Sequence, residues 1–103
     1  MLKYNNMGIK EIQNKISPIL KQQEVEKLAI FGSFARGDDD NNSDIDFLVK
    51  LGENKTLLDL IGLKFKLENI LNKKVDILTY NALNSLLKDK ILQEQKIIYE
   101  KRS

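Results

Sequence analysis

Apolar residues recur three and four positions apart at Ile9, Ile12, Ile16, Ile19 and Leu20, and this spacing predicts an amphipathic helix over roughly residues 8 to 23. Pro18 falls inside that stretch, so either Ser17 caps a second short helix with Pro18 in its first turn, or one helix kinks there. The pattern then changes. Leu28-Ala29-Ile30-Phe31 is a short apolar run closed by Gly32, the signature of a buried strand. Residues 37 to 43, Gly-Asp-Asp-Asp-Asn-Asn-Ser, form a loop, and Ile45 to Val49 make a second strand between that loop and Gly52. From Thr56 to Leu71 the apolar positions 57, 60, 61, 63, 67, 70 and 71 return to a helical period, with Thr56 as N-cap and Asp59 three residues on. Lys74 to Thr79 gives a third strand, and residues 82 to 93 a last helix with Leu83, Leu86, Leu87 and Ile91 on one face. Lys96 to Tyr99 closes as an edge strand or a helix tail. The order helix, strand, strand, helix, strand, helix predicts an α/β (α+β) fold, a small β-sheet with helices packed against it. With no repeat, linker or low-complexity segment, residues 1–103 are expected to form a single domain.

Composition narrows the chemistry. The chain is 42% apolar and 31% charged, a globular balance. No apolar run approaches the roughly 18 residues that would span a bilayer, and Met1 to Asn5 lead into polar sequence rather than a signal peptide, so a cytoplasmic protein without a membrane partner is expected. The absence of cysteine fits that compartment and removes disulfides, thiolate metal sites and cysteine nucleophiles. The absence of histidine removes Ser-His-Asp triads and histidine base catalysis. A net charge of +2 with scattered lysines gives no reason to expect direct nucleic-acid binding. The acids are less even: five of 15 fall between Asp38 and Asp46, a density that must be solvated, neutralised or filled with a cation.

Asp44 and Asp46 stand two apart at the start of a strand, where alternation points both carboxylates to the same side, about 7 Å apart along the chain. They repel one another unless something positive sits between them, and a hard, oxygen-seeking ion such as Mg²⁺ would do so. Asp76 interrupts the apolar run Val75-Asp76-Ile77-Leu78, where a lone ionised carboxylate is costly to bury. If that strand lies beside the first two, Asp76 completes a three-carboxylate site. Upstream, Gly32-Ser33 ends one strand and opens a turn, which would present backbone N–H groups and a hydroxyl to phosphate oxygens. A polyphosphate cradle next to a carboxylate-held metal pair meets the requirements of phosphoryl or nucleotidyl transfer.

Gly32-Ser33-x-Ala35-Arg36-Gly37 followed by Ser43-Asp44-Ile45-Asp46 resembles the signature of the polymerase-beta-like nucleotidyltransferases, in particular the minimal nucleotidyltransferase (MNT) family. The resemblance covers most of the chain, since the flanking helices and the Val75-Asp76-Ile77 strand fall in family order. It implies a small mixed sheet in the polymerase-beta-like fold. It further implies that Asp44 and Asp46 bind two Mg²⁺ ions, that Asp76 binds the catalytic ion and helps deprotonate the acceptor hydroxyl, and that Gly32 and Ser33 hold the triphosphate of ATP. Arg36, one of two arginines in the chain, lies in the same motif and is assigned to nucleotide binding with them. Small members of the family often pair with a helical HEPN protein, the ribonuclease toxin of a toxin–antitoxin system, and adenylylate a tyrosine near its active site. The expected activity is therefore AMP transfer from ATP to a hydroxyl of such a toxin. Two other functions share the motif: nucleotidyl transfer to a small molecule or an RNA end, and a non-catalytic antitoxin that inhibits by binding.

Plainer readings account for the remaining features. Asp38, Asp39 and Asp40 are expected to be solvated residues flanking the site. Asp38, Asp40 and Asn42 match positions one, three and five of a calcium loop, but Ser43 replaces the glycine at position six and Val49 the glutamate at position twelve. Gly37 is expected to be a turn glycine, and Phe31, Phe34, Phe47 and Phe65 core residues rather than base-stacking ones.

Overall fold

The computed structural model describes residues 7–101. Their elements are α1 (Ile9–Gln22), β1 (Val25–Phe31), α2 (Gly32–Arg36), β2 (Ile45–Leu51), α3 (Leu57–Leu71), β3 (Val75–Thr79), a 3-10 turn (Tyr80–Ala82), α4 (Ser85–Glu94) and β4 (Lys96–Glu100). The strands form one mixed sheet in the order β3-β2-β1-β4. β1 pairs antiparallel with β2 and β4, while β2 runs parallel to β3 with α3 as the crossover a parallel pair needs. Lys96–Glu100 is an edge strand, the first of the two alternatives for Lys96 to Tyr99.

Helix α1 runs unbroken through Pro18. The proline ring removes one backbone donor, but Pro18 and Asn14, whose carbonyl loses its partner, are both exposed, so water can take the vacated bond. The opposite face carries the packing: Ile12, Ile16 and Leu20 are all essentially inaccessible. They meet Leu63, Leu67 and Leu71 of α3 over Leu28, Ile30, Ile45, Phe47, Val49 and Val75 of the sheet. At the start of α3 the Asp59 carboxylate accepts the Thr56 backbone N–H at 2.8 Å, the bond expected of a capping acid.

Three expectations need correcting. Phe65 is 61% exposed, and with Leu57, Leu58 and Ile61 it forms an apolar stripe on the outer side of α3. Helix α4 starts at Ser85, after an Asn84 cap, and has no buried residue; Leu86 and Leu87 face outward. The segment after β1 is not an open turn but the five-residue helix α2, closed by Gly37 with a left-handed φ of 82°. Among the described residues no helix is long and apolar enough to cross a membrane.

Candidate active site

Strand register places the first two carboxylates. Phe31 is paired with Asp46, and Asp46 with Asp76, so the three residues form one row across β1, β2 and β3. Neighbouring strands lie about 4.8 Å apart, and paired residues share a face, which makes Asp46 and Asp76 immediate neighbours. Ile45, Phe47 and Val49 fill the core beneath α1 and α3, so alternation turns Asp46 to the opposite face. Asp44 precedes the first residue of β2 and lines the same cavity as Asp46 and Asp76, together with Gly32, Ser33 and Arg36. All six residues singled out in the sequence thus meet in one place, at the end of β1 and the start of β2.

The electrostatic burden falls on a different aspartate from the one expected. β3 is an edge strand and Asp76 is exposed, so the cost of burying it does not arise. Asp46, on the inner strand, is half-buried, and its carboxyl is pushed up to about 6. Burial is the largest cause, followed by the charge of Asp76, a hydrogen bond shared with it, and the charge of Asp44; Arg36 opposes these least of all. Among the described residues no three carboxylates are drawn together into a ready-made ion cage.

Gly32 is required here for two reasons. Its φ is +74°, in the left-handed region, and a Cβ at this position would collide with Asp46 Oδ2. The backbone therefore lies directly against the inner carboxylate. Its N–H is not the free phosphate donor expected of an open turn: it donates to Glu94 Oε1 at 2.7 Å. Arg36 is likewise engaged, through Nε to Asp38 at 3.1 Å and through Nη1 to Glu94 Oε2 at 3.0 Å. Glu94 ends α4, and no motif or spacing singled it out; its contacts reach back to α2 across more than half the chain. Burial favours the neutral form of Glu94, but the Gly32 N–H and the Arg36 guanidinium outweigh it and hold the carboxyl below its usual range.

The acidic loop is exposed but ordered by its own bonds. Asp40 accepts the Asn42 N–H at 2.8 Å, the Ser43 hydroxyl accepts the Asp40 N–H at 2.8 Å, and Lys73 donates to the Asn41 carbonyl at 3.2 Å. This pins the segment that delivers Asp44 to the cavity.

Two carboxylates paired across a mixed sheet, with a third just before the strand and a glycine-serine helix start beside them, are the arrangement of a nucleotidyltransferase. The polymerase beta nucleotidyltransferase family model matches residues 14–103, and the chain belongs to that family. It is 54% identical over 88 residues to the candidate protein adenylyltransferase MJ0435 of Methanocaldococcus jannaschii, covering 85% of this chain and 95% of that protein. A solved minimal nucleotidyltransferase, itself so assigned provisionally, superposes with a TM-score of 0.76 at 30% identity, covering 89% of this chain and 97% of that one. The fold is also that of one chain in the solved complex of the tri-AMPylated Shewanella oneidensis HEPN toxin with MNT antitoxin, with a TM-score of 0.68 at 20% identity over 89% of this chain and 72% of that one.

Proposed function

We propose that this nucleotidyltransferase moves AMP from ATP to a hydroxyl, a tyrosine in the first instance, of a partner HEPN toxin, and so serves as the antitoxin of the pair. The observation that carries this reading is the register that sets Asp46 beside Asp76 in a cavity also lined by Asp44, Ser33 and Arg36. The adenylyltransferase name of the M. jannaschii relative and the AMPylated toxin of the structural neighbour support the choice of nucleotide and acceptor.

The donor set fits Mg²⁺ in kind, being three carboxylates with no nitrogen or sulfur ligand, and Asp44, Asp46 and Asp76 are the residues that would hold two ions. Bound there, the ions would neutralise charge on the attacking and leaving oxygens of an in-line displacement. The remaining work belongs to the chain. Arg36 and the Ser33 hydroxyl hold the triphosphate, while Gly32, lacking a side chain, lets the backbone approach Asp46. Asp76, on the exposed edge strand, is the carboxylate an incoming hydroxyl reaches, and one of its oxygens takes the hydroxyl proton. The acceptor oxygen bonds to the α-phosphorus, the bond from that phosphorus to the bridging oxygen breaks, and pyrophosphate leaves.

Incubation with a candidate HEPN toxin partner and ATP labelled at the α or at the γ phosphate tests this balance. The α label should appear on the toxin polypeptide and the γ label in pyrophosphate. Label on RNA ends or a small molecule would replace the acceptor, and inhibition of the toxin without any transfer would reduce the protein to a binding antitoxin.

A further inference from the structure

Glu94 borders the cavity with a side chain only 14% accessible, and each of its oxygens has a defined partner. Oε1 takes the N–H of Gly32, the residue whose backbone lies against Asp46; Oε2 takes the guanidinium of Arg36. The Glu94 and Asp38 carboxylates both make charge-assisted bonds to Arg36, but Glu94 is the better shielded from solvent and accepts at the slightly shorter distance, 3.0 Å against 3.1 Å. The Arg36 to Asp38 pair, 48% and 62% exposed, is of the weak surface kind. Glu94 is therefore the principal restraint on Arg36.

That restraint matters because of what else is within reach. Asp44, Asp46 and Asp76 line the same cavity as Arg36. An arginine released beside three carboxylates would fold onto them, since a guanidinium pairs readily with a carboxylate in the fork geometry. It would then occupy the oxygens an ion needs and withdraw from the phosphate. With Glu94 in place, the bonds of Arg36 among the described residues go to Glu94 and Asp38 and none to Asp44, Asp46 or Asp76.

We infer that Glu94 is a positioning residue for nucleotide binding: it holds the Gly32 peptide and keeps Arg36 turned toward the triphosphate and away from Asp44 and Asp46. The inference rests on the reading that this cavity binds a nucleotide with Mg²⁺. Glu94 touches neither in this scheme and acts through Arg36 and the Gly32 backbone.

The test is titration of the folded protein with a non-hydrolysable ATP analogue at several Mg²⁺ concentrations, for the wild type, Glu94→Ala, Glu94→Gln, Arg36→Ala and the Arg36→Ala/Glu94→Ala double variant. Loss of one charge-assisted bond should raise the analogue dissociation constant of Glu94→Ala about tenfold or more. Its half-saturating Mg²⁺ should also shift upward, because a loose Arg36 competes for the carboxylates. Glu94→Gln keeps an acceptor for the Gly32 N–H and loses the charge, so its constant should fall between the two. With Arg36 already removed, the effect of Glu94→Ala should shrink to what the Gly32 contact alone supplies, since the route through Arg36 no longer exists. An unchanged or tighter constant in Glu94→Ala overturns the inference, the tighter one identifying Glu94 as a built-in competitor for the phosphate. An undiminished effect in the Arg36→Ala background, or a lowered melting temperature with normal binding below it, also overturns it. If Glu94→Ala does not fold, Glu94→Gln against Arg36→Ala decides alone: a Mg²⁺ midpoint equal to wild type in Glu94→Gln sinks the idea. A wild type that binds no analogue with Mg²⁺ removes the nucleotide reading itself and this inference with it, whereas normal wild-type binding matched by Glu94→Ala removes only the latter.

Discussion

Replacing Asp46 with asparagine should make the metal-free protein more stable, and only above a defined pH. The Asp46 carboxyl sits at about 6 in the fold against an ordinary value of 3.8. The folded state thus binds this proton more tightly than the unfolded chain does. Ionisation then costs stability, beginning as the pH rises past about 3.8 and complete above about 6, and no cost exists below that window. A gap of roughly 2 pKa units corresponds to at most about 3 kcal/mol. Asp46 is only half-buried, and solvent screening reduces the figure, so about 1 kcal/mol is expected. For a domain of this size that raises the melting temperature by about 4–8 °C. The assay is thermal unfolding of wild type and Asp46→Asn in chelator from pH 3.5 to 8. The two should melt together at the acid end and separate through the window. Mg²⁺ with nucleotide should then stabilise the wild type and leave the variant unchanged. A variant that is less stable at pH 7.5, or a difference that does not vary with pH, would refute the claim that Asp46 is ionised against the fold.

Three further outcomes follow from the same geometry. Ser33→Ala should weaken analogue binding by about 1.5–3 kcal/mol, the value of one charge-assisted hydrogen bond, with no loss of fold; unchanged affinity in a titration removes the hydroxyl from the phosphate site. Asp76→Asn should keep most of its nucleotide affinity and lose about 10²–10⁴-fold in single-turnover transfer, because a proton acceptor is missing rather than the site. If affinity and rate fall together by one factor, Asp76 is holding the site and not accepting the proton. Gly32→Ala should remove transfer by displacing Asp46 and should cost about 1–2 kcal/mol of stability for the left-handed φ; wild-type activity would mean the close approach to Asp46 is dispensable.

The parts of this molecule that could be read from sequence are those governed by local spacing. The helical period of α3, the Thr56 and Asp59 cap and the short apolar strands each follow from residues a few positions apart, and the convergence of Asp44, Asp46 and Asp76 follows if the strands are neighbours. Strand order is a long-range property, and it decided which aspartate carries the strain. An apolar run around Asp76 looks buried in sequence, yet β3 lies at the sheet edge and Asp46 takes the inner place. The start of β1 was missed because Glu26 and Lys27 break the apolar run; Lys27 pairs with Lys50 and Glu100 as part of the ladder. Phe65 stands two positions from Leu63 and from Leu67, so it turns away from the core face of α3 despite its apolar neighbours. Glu94 left no local trace at all, because its partners are brought to it only when α4 returns beside α2.

Whether the aspartates lining this cavity are the transfer site is tested most directly by label transfer from α-labelled ATP to a candidate HEPN toxin partner by wild type and by Asp44→Asn at equal Mg²⁺. Asp44 bonds to nothing that supports the fold among the hydrogen bonds and ion pairs of the described residues, so the variant should melt no lower than the wild type. The toxin should be labelled by the wild type and not by Asp44→Asn. Equal labelling by the two proteins would contradict it.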